Sequence, residues 1–414
     1  MVAWWAMAVG CKTTEPSTPT DTDTDTVAHS EPPHTGTPGT PTAETGSSTT
    51  PTGHTGTPDT GDLLAYEALF DVSQVHEVAI EVAEVDWALA LVGTEDELPA
   101  AITLDGTPLY GGSFRVRGDA ALLGLTGKSD LELDLDDNGG MRVGDVERLT
   151  LNAQLDDPAC AREVLATEVL RAAGLNPPRA VFAHVVLHGE DLGVFTMVEG
   201  VDRSFLKRRY ADPDGDLWEA KSGADFSTPG VERWRAVGSS GDRDALDAVR
   251  VVVQTSTDFT TELEPLVDEP ALFRFWAWVA AVGHARGWPH RLNDVFTYAD
   301  PLDADRFVFV PWSMERAFDP GSSWGAVESQ LAIRCRYEEP CDTQIRAAVA
   351  QAADELELLD VPTLADTLFA VSQDAVIADV ARPIPLPEVA AARDQLRALT
   401  VAAPAKLRSD LAAP

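Results

Sequence analysis

The feature that most constrains this chain is the stretch 272–320, LFRFWAWVAAVGHARGWPHRLNDVFTYADPLDADRFVFVPWSMERAFDP. It opens as an apolar, aromatic-rich segment long enough for a buried helix. It then crosses a polar loop holding Arg286, His290, Asn293 and Asp294, and becomes a short strand over 295–298. A turn over 301–305 returns it as a second strand, 307–310, which stops at Pro311-Trp312 and gives way to acids and an arginine. Polar groups gathered at both ends of a buried hairpin point to a site, with the rest of the chain as its scaffold or tether.

Charge narrows what such a site binds. The chain carries 68 acids against 31 bases, a formal net charge of -37. Phosphate backbones are neutralised by clustered Lys and Arg, so this balance argues against a nucleic-acid partner. HExxH and GxxxxGK[ST] are absent from the sequence, which removes support for the usual zinc-protease and P-loop chemistries. His284 and His290, with Asp294, offer a transition-metal set, and Trp276, Trp278 and Trp288 a carbohydrate surface. Against these stand the plainer readings of local hydrogen bonding and core packing.

The amino-terminal ten residues are apolar, and MAVGC at 7–11 resembles a bacterial lipobox, in which Cys11 would be lipidated. The alternative is an apolar terminus that arose by chance. From residue 12 to about 60 the chain is Thr, Pro, Gly, Ser and Asp with near-repeats such as HTGTP, the composition of a disordered spacer. No later run reaches eighteen uninterrupted apolar residues, so no spanning helix is expected. The expected product is a cell-envelope lipoprotein, periplasmic or extracellular, whose membrane contact is its anchor. In an oxidising compartment Cys335 and Cys341 of RCRYEEPC either close a local disulfide or remain two thiols. Cys160 reads as a small buried side chain.

The folded part opens near Leu63. Alternating or β-rich runs predict strands over 75–82, 100–104, 109–116, 129–135 and 149–151, and a pair ending at Leu187 and Val198. Asp157-Pro158 predicts a helix start, with Leu165, Val169 and Ala172 on the buried face and Gly174 as the stop. A short helix over 84–91 is expected to pack through Trp87 and Leu89. Further helices are expected from Phe205, over 242–256 and 258–267, and over 343–358, 364–371 and 389–399. The fold class is α+β, a mixed or antiparallel sheet joined to a helical half.

Taken in order, VHEVAIEV, FRVRG, GKSDLELDL, LNAQLDDPACAREVLATEVLRAAG, VVLHGEDLGVFTMVEGVDRSFL and FVFVPWSMERAF resemble the spore-coat CotH kinase family of atypical, protein-kinase-like phosphotransferases. The resemblance implies a kinase-like fold with a sheet-rich and a helical lobe, and an ATP cleft between them served by Mg²⁺ or Mn²⁺. By position, Lys128 and Arg117 would serve the nucleotide, and Glu199 would pair with Lys128 or orient a metal. Asn293 and Glu315 would hold the metal, and Asp294 or, alternatively, Asp319 would compensate by supplying a carboxylate to the acceptor. The chain departs from the family pattern at two places. Arg286 stands where a catalytic-loop aspartate is expected, and guanidinium accepts no proton. Ser313 and Glu315 stand where a PWDxD segment has its two aspartates. The implied activity is transfer of the ATP γ-phosphate to Ser or Thr of a secreted or envelope protein; the alternative is a pseudokinase kept as a tethered binding or structural module. The corresponding organisation is a signal segment over 1–11, a linker over 12–60, a kinase-like domain over 61–345 and a helical extension over 346–414.

Overall fold

The computed structural model describes residues 60–118, 125, 128–137, 139–238 and 243–413. The expected export segment with Cys11, and the spacer up to residue 59, lie outside the described residues.

Seven strands form a closed barrel: β1 (Val75–Val82), β2 (Leu98–Leu104), β3 (Thr107–Val116), β4 (Leu131–Asp134), β5 (Arg148–Asn152), β6 (Ala180–Leu187) and β7 (Glu190–Glu199). Their order is β1-β2-β3-β4-β5-β7-β6. Closure comes from β6 running parallel to β1, with Val75 opposite Phe182 and Ile80 opposite Leu187. Alternation fills the interior with Val78, Ile80, Ile102, Phe114, Leu133, Leu149, Val185 and Phe195. At Gly112 a Cβ would meet Ile102 Cδ1 at 2.8 Å and the Asp134 carbonyl at 2.9 Å, so glycine is needed where β3 passes the irregularity in β2. The sequence predicts the strands; the β1–β6 pairing that closes them joins segments too distant to leave a local signal.

A second sheet, β11-β10-β8-β9, consists of β8 (Leu217–Ala220), β9 (Trp234–Ala236), β10 (Val295–Asp300) and β11 (Arg306–Pro311). The helices are α1 (Thr60–Leu69), α2 (Glu84–Val92), α3 (Arg162–Ala172), α4 (Arg203–Arg209), α5 (Asp244–Thr255), α6 (Phe259–Leu263), α7 (Glu269–Ala281), α8 (Gln330–Tyr337), α9 (Glu339–Leu358), α10 (Val361–Ala378) and α11 (Leu386–Ala412). The fold is therefore mixed α/β, a closed barrel with a second sheet and a helical region. Among the described residues, no helix is long and apolar enough to cross a membrane.

Helix α7 is the centre of the larger core. Asp268 caps it by accepting from Ala271 N, and Pro270 sits in its first turn, where the missing N–H costs nothing. Trp276 and Trp278 are 0% and 1% exposed, and Trp288 stacks on Phe309 at 4.7 Å. These rings fill the interior and leave no aromatic face for a sugar. Two smaller expectations also change: Leu89 on α2 is 42% exposed, and Ala172 at the end of α3 is exposed.

The C-terminal helices are bound into the fold. Helix α9 packs along α7 and α11, and a disulfide joins Cys335 in α8 to Cys341 in the first turn of α9. Residue 345, the expected domain limit, lies within α9. At the end of α10, Asp379 accepts from Lys128 Nζ at 2.8 Å and from Val194 N at 3.0 Å. Both charged side chains are nearly buried, at 4% and 3% exposure. Truncating one member of such a pair strands the other in the interior. Asp379→Ala should therefore cost about 3–5 kcal/mol of unfolding free energy in urea. The double variant Lys128→Met, Asp379→Asn should recover much of that loss.

Candidate functional site

The end of α7 builds the site. Gly283, at φ +58, lets the helix close with His284 N donating to Val279 O at 2.9 Å. A Cβ on Gly283 would press on the Asp319 backbone at 3.2 Å, because the chain returning from β11 is tied there. Phe318 N donates to Val282 O and Asp319 N to Gly283 O, at 2.6 and 3.1 Å. The loop 284–294 and the segment 312–318 are thereby held side by side. His284 Nε2 lies 3.0 Å from Trp312 O, and Trp312 N donates to Asp294 O at 3.3 Å. Asp294 and Ser313, at the two ends of the hairpin, both take left-handed backbone angles, φ 53 and 59.

Three elements deliver carboxylates to this place. Asp294 comes from the loop after α7, Glu315 from the segment after β11, and Glu163 from the first turn of α3. Glu163 is buried, with Oε1 accepting from Met314 N and Oε2 from Asn152 Nδ2, each at 3.1 Å. Glu315 Oε2 accepts from Ser313 Oγ at 2.9 Å. Arg286 lies among the acids. Its Nε is 3.6 Å from Asp294 Oδ2, and its Nη1 is 3.5 Å from Glu315 Oε1 and 3.4 Å from Asp156 Oδ2. Arg316 adds a second guanidinium to Asp156 at 2.6 Å. Burial and neighbouring negative charge raise the pKa of three of these carboxyls. The Glu163 carboxyl is raised well above its ordinary value by burial and Glu315, and Glu315 is raised by burial. Asp294 is pushed up to about 8 by burial and Glu315, against the pull of Arg286 and Arg316.

Next to this cluster opens a cleft of about 500 Å³ lined by barrel strands β3–β5, the 200–202 segment and the second sheet. Phe296 and Trp312 meet edge to face in its lining, at 5.5 Å. Two ion clusters also line it. Glu132 pairs with Arg115 and Arg117, and Glu219 with Lys221 and Arg235. In both, the acid is the buried partner: Glu132 and Glu219 are 15% and 11% exposed, whereas the four cations range from 31% to 56%. Each cluster thus shows a surplus positive charge to the cavity. Arg148, held by Asp134 at 2.9 Å, and the acids Glu95, Glu97 and Asp202 complete the charged lining.

The expected site residues fall in four places. Arg117 lines the cleft, and Asp294 and Glu315 form the acid cluster beside it. Asn293 lies at its edge, with its carbonyl accepting from Trp288 N at 2.8 Å. Lys128 is outside the cleft lining, in the Asp379 pair under the Phe195 ring. Glu199 is a third kind of centre, fully buried and saturated by Arg208, Arg209, Tyr66 Oη and Arg179 N. Burial raises its pKa, but Arg209 and Arg208 outweigh this and leave it below the ordinary glutamate value. It clamps α4 to the end of the barrel and faces neither Lys128 nor the acid cluster. The histidines are buried and neutral: burial lowers His284 to about 3 and His290 to about 4, and each ring bonds a backbone carbonyl.

Sequence reasoning missed Glu163, Asn152, Arg235 and Glu219. For Glu163 a signal existed, since it shares a helical face with Ala166, Thr167 and Leu170, all buried. A carboxylate on an apolar stripe is a flag that periodicity can raise. Elsewhere among the described residues, Asp134, Asp136 and Glu147 bring ligand atoms within 4.8 Å of one another, but Arg148 and Arg142 already pair with them.

The sequence profile of the family described as "CotH kinase protein" matches residues 114–347. Among curated proteins, the Rhizopus delemar proteins named Invasin CotH2 and Invasin CotH3 are 22% and 23% identical over 221 residues, 49% of this chain. The Bacillus subtilis protein named Inner spore coat protein H is 23% identical over 188 residues, 42% of this chain. The matches span 37%, 36% and 49% of those proteins' own lengths.

An acid whose folded pKa lies above its unfolded one stabilises the fold most while both states are protonated. For Asp294 that stability is full below about pH 4 and is lost as pH rises to about 8, where the native group ionises. Asp294→Asn should therefore match the wild-type thermal midpoint near pH 4 and exceed it at pH 8. Identical pH profiles would mean that Asp294 is already charged in the native state at neutral pH.

Proposed function

The chain belongs to the CotH kinase protein family, and we propose that it is a nucleotide-binding relative whose phosphotransfer centre is closed by its own arginine. The observation that carries this reading is the cleft. Its volume lies within the roughly 300–1,000 Å³ of small-molecule sites. It offers two cation-rich clusters to an anion and an aromatic pair to a planar ring. Arg117 with Arg115 on one wall and Arg235 with Lys221 on the other would take the phosphates. Phe296 and Trp312 would take the base. Such contacts are charge-assisted, and guanidinium suits them by its planar fork.

Closure of the centre rests on Arg286. A residue that places an acceptor hydroxyl must accept a hydrogen bond, which guanidinium does not do. Ser313 brings only a neutral hydroxyl, whose O–H donates to Glu315. In this reading the fold is a two-lobed kinase-like scaffold that binds a nucleotide and recognises a secreted or envelope partner. The names of the relatives, two invasins and a spore-coat protein, fit a role outside the cytoplasm. A domain that opens near residue 61 and includes helices α9–α11, carried on a linker and a Cys11 lipid anchor, would serve it.

Active transfer to Ser or Thr is the second reading, and Asp294 is the observation in its favour. Its Oδ2 is buried without a hydrogen bond, and its raised pKa brings it near the range of a working general base. Calorimetric titration of the chain with ATP, in EDTA and in Mg²⁺, tests the first reading. Binding is expected in both buffers, about tenfold weaker in Arg117→Ala or Arg235→Ala, each of which removes a charged contact worth roughly 1.5 kcal/mol or more. Absence of binding at millimolar ATP would overturn it. Transfer of γ-phosphate to protein, abolished by Asp294→Asn, would replace it with the second.

A further inference from the structure

The acids beside the cleft do not fit a divalent ion as they stand. A small octahedral cation takes oxygen ligands at roughly 2.1 Å and tolerates little deviation. Here nearly every carboxylate oxygen is engaged by the protein itself. Glu315 gives one oxygen to Ser313 and the other to Arg286. Both oxygens of Glu163 are taken by Met314 N and Asn152. Asp156 is shared between Arg286 and Arg316. Asp294 Oδ2 faces Arg286 at 3.6 Å but makes no hydrogen bond, although Asp294 is only 7% exposed. Asp294 Oδ2 is thus a buried acceptor without a hydrogen-bond donor, and its ion-pair partner is the Arg286 guanidinium. With Arg286 among them, the acids are absent from the sets of described residues whose ligand atoms converge within 4.8 Å.

We propose that Arg286 is a tethered cation standing in the place of a divalent metal, and that removing its charge uncovers a metal site formed by Asp294, Glu315 and Asp156. One delocalised positive charge, reaching three carboxylates at 3.4–3.6 Å, offsets part of their charge without holding them in coordination geometry. The chain thereby carries its counterion with it, and the acid cluster beside the cleft holds a guanidinium in place of a metal ion. That consequence rests on the nucleotide reading; the site itself does not, and its test needs no nucleotide.

The experiment is titration of the full chain with Mn²⁺ alone, followed by calorimetry and by the loss of free-ion electron paramagnetic resonance signal. Asp136→Asn is included throughout, to silence the separate Asp134–Asp136–Glu147 group. In this background no Mn²⁺ site sensitive to Glu315→Gln is expected. Adding Arg286→Ala should create one, binding Mn²⁺ at least about tenfold more tightly, and Glu315→Gln should abolish it. Arg286→Gln, which keeps part of the side-chain stem and an N–H donor but loses the charge, serves if the alanine variant does not fold. Thermal melts identify the folded variants. A Glu315-dependent Mn²⁺ site with Arg286 still present would overturn the proposal, as would a folded, charge-free variant that gains none. ATP titration of the same proteins separates the two ideas, since the cleft can fail to bind nucleotide while the metal result stands.

Discussion

The site depends on a backbone constraint, the pairing of the returning chain with the end of helix α7. Val282 and Gly283 have carbonyls that the helix cannot satisfy, and Phe318 and Asp319 donate to them. Phe318 adopts φ 58 to do so, an unfavourable angle for a bulky residue that the surrounding core must enforce. From this junction follow the adjacency of Arg286 to Glu315, the meeting of Trp312 with Asp294, and the position of Met314 over Glu163. Loosening it would scatter groups that come from three distant parts of the sequence.

Much of this was legible in the residues, and the reason differs by element. Helix α7 and the hairpin after it announce themselves through an apolar run, a turn and a Pro-Trp stop, all local signals. The helix expected to start at Asp157-Pro158 begins only at Arg162 after an uncapped Ala161, while the Asp157 carboxylate accepts from Ala159, Ala161 and Arg162 N in the turn that leads into it. What stayed hidden was long range. The β1–β6 pairing, the Lys128–Asp379 bridge and the Arg208–Arg209 clamp on Glu199 each join segments with no sequence proximity or no distinguishing pattern. A lysine ahead of a strand and an acid at a strand's end look alike whether they face a ligand or one another. Burial decides between these, and burial is a property of the assembled fold.

Charge shows the same dependence on assembly. The chain carries a net charge of -37, yet five of its bases, Arg115, Arg117, Arg148, Lys221 and Arg235, gather in the lining of one cleft and balance the five acids there. Net charge does not report such local gathering of cations.

The barrel's mode of closure also bears on where this fold can be cut. The region matched by the family profile begins at residue 114, within β3, and ends at 347, within α9. A fragment with those limits would lack β1 and β2, leaving β3 and β6 with open hydrogen-bonding edges, the kind of edge through which chains join one another. It would also lack α10, and with it the carboxylate that answers Lys128. The stretch recognisable across relatives is thus smaller than the unit that folds, and the flanking segments are structural members of the same body.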